Sequence, residues 1–160
     1  MTLFPLALAL IACGPETDDT AAAVTEDPGE HACEHIGDQV DAITAATAAV
    51  DIADAIIEPG DEPWVVALSG DVTTYVQIEV DAEEELLLFV GLADVVEDLL
   101  FQWQSEGLED AGAEEHCADA IPAHYHLDLH EPGAYQLELA PSAAAELRLV
   151  LFESEGHDDH

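Results

Sequence analysis

The sequence predicts an all-β fold, an antiparallel β-sandwich, on three observations. Residues 72–80 put Val72, Thr74, Val76, Ile78 and Val80 on one face of an extended chain and Gln77 and Glu79 on the other, the period-2 signature of a half-buried strand. Similar runs recur through the second half of the chain with turn residues between them, the spacing of a sandwich. Leu, Ile, Val and Phe together make up 43 of the 160 residues. That fills one core and stands above the roughly 20% floor of disordered chains. The length suits a single domain.

At the N-terminus, residues 1–12 are uncharged, and the apolar stretch Leu3–Ala12 has the length of a signal-peptide core. It falls far short of the ~20 residues that span a bilayer. Leu10-Ile11-Ala12-Cys13 resembles the bacterial lipobox. That resemblance implies a diacylglycerol on the Cys13 sulfur, cleavage before Cys13, and a lipid-anchored place in the bacterial cell envelope, at its periplasmic or cell-surface face. Residues 13–32 hold one large apolar side chain, Val24, and read as a disordered acidic tether with a reach of roughly 25 Å.

The folded domain is expected over residues 33–154. Ile36, Val40, Ile43, Thr47, Val50 and Ile57 fit helical spacing, but the Ala and Thr content of 36–57 also suits extended chain, and a strand is expected over 39–46. After the strand at 72–80, Leu86-Leu87-Leu88-Phe89-Val90 reads as a strand buried on both faces. Leu99, Phe101 and Trp103 alternate with Leu100, Gln102 and Gln104 over 99–104, and the Glu-, Ala- and Gly-rich stretch 105–123 reads as a loop. Tyr125, Leu127 and Leu129 then alternate with His124, His126, Asp128 and His130. Past the Glu131-Pro132-Gly133 turn, Tyr135, Leu137 and Leu139 alternate with Gln136 and Glu138, and 146–152 makes the last strand. Residues 155–160 form an acidic, His-bearing tail.

The Gly70-Asp71 turn, the Leu-rich strand after 72–80 and the Pro132-Gly133-Ala134-Tyr135 opening resemble the small jelly-roll domains of secreted bacterial proteins, such as the pre-peptidase C-terminal type. The resemblance spans about residues 62–153. It implies a jelly-roll-like sandwich that acts as a non-catalytic appendage.

The formal charge of −36, with Arg148 the only Lys or Arg against 37 acidic residues, repels phosphate backbones and anionic headgroups. A nucleic-acid partner is excluded. Adaptation to high salt (a halophilic source) explains such acidity, and so does cation binding. With Cys13 acylated, Cys33 and Cys117 remain, and in an exported protein they are expected to pair. Such a disulfide stabilises by roughly 4 kcal/mol in the chain-entropy model.

Alternate residues of a strand share a face, so His124, His126, Asp128 and His130 point the same way. His124 and His126 are spaced to share one metal ion, and a Cys33–Cys117 bridge draws His35 and His116 together. His35, His116, His124 and His126 are therefore the candidate ligands for zinc or copper, which favour imidazole. The competing reading is a solvated polar face. His124 and His126 followed by Glu131 also resemble the first cupin motif, although Ala118 stands where that motif has glycine. This implies an alternative, a small cupin-like metalloenzyme using those three residues. The first expectation is a non-enzymatic cell-envelope lipoprotein, an acidic β-sandwich binding module tethered to the membrane through Cys13. A third is a structural or adhesive surface module whose partner is an envelope protein or a glycan.

Overall fold

The computed structural model describes residues 27–154 apart from positions 41, 61 and 103. The expected signal peptide at 1–12, Cys13, most of the expected tether and the 155–160 tail lie outside the described residues. A short helix α1 (Pro28–His35) comes first, then β1 (Ala42–Thr44), a 3₁₀ turn over Ala49–Asp54, β2 (Ile56–Ile57), β3 (Trp64–Ala67), β4 (Thr74–Val80) and β5 (Glu84–Val90). They are followed by β6 (Val96–Phe101), β7 (Gln104–Ser105), β8 (Glu109–Gly112), β9 (Ala123–Leu129), β10 (Gly133–Leu139) and β11 (Glu146–Glu153).

Two sheets form, one ordered β1-β3-β11-β5-β9-β8 and the other β2-β4-β10-β6-β7. Strands β3 to β6 alternate between the sheets, as do β9 to β11. The central orders β3-β11-β5-β9 and β4-β10-β6-β7 are those of a jelly roll. The long central strands pair antiparallel, as expected, whereas the edge strands β1 and β2 run parallel to β3 and β4. The edge strands are short, from two to four residues, which protects the sheets from pairing with other chains.

The alternation read from the sequence is what fills the space between the sheets. Val76, Ile78, Leu88, Leu99, Leu137, Leu149 and Leu151 are each fully buried there. Gln77 departs from its expected exposed side. It is 8% exposed, because β2 pairs alongside it and its backbone N–H donates to Ala55 O.

Three expected segments differ. The tether does not extend to residue 32, because α1 begins at Pro28. Asp27 caps the helix by accepting from Gly29 N at 2.9 Å, and Pro28 occupies the first turn, where its missing N–H costs nothing. Within the expected 105–123 loop lies β8, which pairs with β9 despite carrying no apolar alternation. The strand expected over 99–104 breaks after Phe101, since Gln102 adopts a positive φ of 50° and turns the chain into β7.

A second, smaller core lies on the outer face of the first sheet. Phe89 on β5 and Val150 and Phe152 on β11 alternate with the inward leucines, and they are buried beneath Ala32 and Ile36 of α1 together with Ile121. Two devices hold α1 over that patch. Cys33 is bonded to Cys117 with Cα atoms 5.8 Å apart, so the expected disulfide forms. Arg148 donates through Nη1 to Ile36 O at 3.0 Å and Asp38 O at 2.6 Å, satisfying the carbonyl of the helix C-cap and one in the chain just beyond it.

Arg148→Ala is expected to lower stability by about 1 kcal/mol, the loss of charge-assisted bonds discounted for exposed carbonyls that water re-solvates. Urea denaturation measures it, and an unchanged midpoint would show the bonds to be incidental. The thermal midpoint of the native protein should rise from low salt to molar NaCl, as the screening length falls from about 10 Å at 0.1 M to about 3 Å. A flat or falling midpoint would contradict the self-repulsion implied by the −36 charge.

Candidate functional site

Strand alternation sends Tyr125, Leu127 and Leu129 inward and leaves His124, His126 and Asp128 on the outer face of the first sheet. Register places His124 beside Phe89 and His126 beside Leu87 on β5. The polar residues of β9 therefore border the apolar patch that α1 covers.

A chain of ring contacts crosses this face. His35 and His31 on α1 have centroids 4.5 Å apart, and His31 makes a T-shaped contact with Phe152 at 5.4 Å. Phe152 contacts Phe89 at 5.9 Å, Phe89 stacks on His124 at 5.5 Å, and His124 lies 6.0 Å from His126. Four histidines and two phenylalanines thus run from the helix to the sheet.

Several of the imidazoles have one nitrogen fixed. His35 Nδ1 lies 2.7 Å from Asp38 Oδ2, and His116 Nδ1 lies 2.9 Å from Glu114 Oε1. His124 Nδ1 donates to Gly112 O at 3.0 Å. Glu114 is 8% exposed and lies under the first turn of α1, where a Cβ on Gly29 would stand 2.5 Å from its Oε2. Only glycine allows that approach. The bond to Glu114 raises the His116 pKa above its ordinary 6.5, assisted by the nearby charges of Glu114, Glu115 and Asp27 and opposed by partial burial.

Of the four expected ligands, His124 and His126 are neighbours, as the strand spacing predicts. His35 packs on His31, and His116 is held by Glu114. Among the described residues, no group of three or more His, Cys, Asp or Glu is arranged to hold a metal ion. Glu131 of the cupin-like alternative lies beyond the end of β9. Three residues of strand, about 10 Å, separate His126 from the end of β9, and Glu131 follows in the turn to β10. There its backbone N–H and C=O are both bonded to the Tyr135 hydroxyl.

His31 escaped the sequence reading. Its spacing of four from His35 is a helical signal, invisible while residues up to 32 read as coil.

An open groove of about 1120 Å³ lies elsewhere on the same sheet, lined by Gln39, Val40, Glu58, Glu62, Trp64, Glu146 and Arg148 among others. Trp64 Nε1 donates to Glu58 O at 3.0 Å there. Neither a known protein family nor a curated protein matches the chain.

The His116–Glu114 pair makes a pH prediction. Because folding raises the pKa of His116, its stabilisation is complete below the unfolded value near 6.5 and disappears as pH rises through the folded value. His116→Gln is therefore expected to destabilise the protein at pH 5.5 relative to wild type and to change little at pH 9. Denaturation midpoints at the two pH values test this, and an equal loss at both would contradict it.

Proposed function

We propose that the protein is a non-enzymatic lipoprotein of the bacterial cell envelope, an acidic jelly-roll module tethered to the membrane through lipid on Cys13. The Cys33–Cys117 disulfide carries this reading. It pairs two of the three cysteines in the chain, leaves Cys13 as the remaining thiol for acylation, and fits an oxidising compartment outside the cytoplasm. The Leu10–Cys13 pattern supports it from the sequence. The polar composition of residues 14–26 suits a spacer between anchor and domain. A non-catalytic role is supported by the resemblance of residues 62–153 to the jelly-roll appendages of secreted proteins.

The structural or adhesive reading gains support from the groove beside Trp64. Its half-buried aromatic ring, carboxylates, Gln39 amide and Arg148 suit a protein or glycan surface of the envelope.

The anchoring test is fractionation of wild type and Cys13→Ser. Wild type should enter the membrane fraction with an acyl mass on its N-terminal peptide, and Cys13→Ser should become soluble with its fold intact. Wild-type protein recovered in the supernatant with an unmodified Cys13 would overturn the proposal.

A further inference from the structure

We infer that the groove beside Trp64 is a binding site for a neutral carbohydrate chain. This deepens the adhesive reading of that groove and does not depend on lipid at Cys13. The groove holds about 1120 Å³, just above the roughly 300–1,000 Å³ of small-molecule pockets, and its open form suits a polymer lying along it. Its lining comes from the chain entering β1, the chain entering β3, and the strands β3 and β11. Gly60 N donates to Leu151 O at 2.7 Å, which ties the chain entering β3 to β11.

Hydrogen-bonding capacity selects the ligand. Among the described side chains of the lining, Glu58, Glu62 and Glu146 are carboxylates, which only accept hydrogen bonds. Donors are scarce. Trp64 Nε1 is engaged by Glu58 O at 3.0 Å, Arg148 Nη1 by the carbonyls of Ile36 and Asp38, and Pro59 and Pro63 bring no N–H. A ligand rich in hydroxyls meets this imbalance, because each hydroxyl can donate to a carboxylate, and such charge-assisted bonds are the stronger kind. A peptide carries one carbonyl for nearly every N–H, and its carbonyls would face carboxylates. An acidic polymer, such as a polyuronate, is repelled by the −36 charge.

Trp64 supplies the apolar part of the site. It lines the groove half-buried, packed in part against the main core, and the bond to Glu58 O sets the orientation of the indole. With its N–H satisfied, the uncovered part of the ring offers a π-surface that needs no polar partner. The C–H face of a sugar ring packs on such a surface, its positively polarised hydrogens against the negative aromatic face. Because the strand and the hydrogen bond already hold the ring, little ordering is lost on binding.

The test titrates the full chain calorimetrically with soluble glucan, mannan, galactan and chitooligosaccharide as neutral probes, polygalacturonate as the anionic probe and polylysine as the cationic one. At least one neutral probe should bind, with the same affinity at about 0.1 M and about 1 M NaCl, since no ion pair is there to be screened. Trp64→Ala should weaken that binding about tenfold, the worth of one well-placed aromatic contact, and Trp64→Phe should restore most of it. Gln39→Ala, a change at an exposed side chain, should weaken it by a smaller factor with the fold undisturbed. His124→Ala/His126→Ala should bind as wild type. Failure of every neutral probe to bind would overturn the inference, as would polygalacturonate binding as tightly as the neutral chains. Polylysine binding alone, lost in molar salt, would overturn the carbohydrate assignment and leave the adhesive reading standing. Neutral binding unchanged in both Trp64→Ala and Gln39→Ala would remove the site from this groove.

Discussion

With a single permanent cation against 37 carboxylates, this fold cannot be held together by ion pairs. The one Arg–carboxylate contact among the described residues, Arg148 to Glu146, is 4.0 Å long and lies on the surface, where such a pair contributes little. Cohesion must come from apolar burial, the two hydrogen-bonded sheets and a covalent crosslink. Leucine, valine and isoleucine from both sheets accordingly fill the interior, and the charge is left to solvent.

The same constraint explains where Arg148 sits. Its guanidinium bonds the carbonyls of Ile36 and Asp38, where a positive group meets both unsatisfied acceptors and the negative end of the helix. Together with the disulfide it secures a helix of eight residues, too short to persist alone in water. Docked there, α1 buries Phe89, Val150 and Phe152, which would otherwise be an apolar patch on an outer sheet face. It also brings His31 and His35 to the ring chain that reaches His124. Where cationic side chains are missing, histidine takes over their pairing. His35, His116 and His130 each face a carboxylate.

The legibility of this architecture follows the burial of each segment. β4, β9 and β10 each have one face in the core, so their alternation marks them to within two residues. β3 shows no alternation, since Val65 and Val66 are buried on opposite faces, and β8 is acidic because its edge faces water. Neither leaves a periodic trace. The helix was hidden for a different reason. Pro28-Gly29-Glu30 has the composition of a linker, and beyond its Asp27 cap α1 is held by Cys117 and Arg148, distant contacts that local composition does not encode. Cysteine counting did reveal the disulfide, and strand parity placed His124 and His126 on one face. The company His35 keeps, the ring of His31, depends on a helix that periodicity does not announce.

The disulfide and Arg148 hold α1 on the sheet, and its own helical propensity does not. Native-state hydrogen exchange, before and after reduction, tests this most directly. In the oxidised protein the amides of His35 and Ile36, which close the last turns of α1, should be protected together with those of β5 and β11. After reduction the α1 amides should exchange far faster while β5 and β11 stay protected. Protection of α1 that survives reduction unchanged, or that is absent from the oxidised protein, would contradict the account.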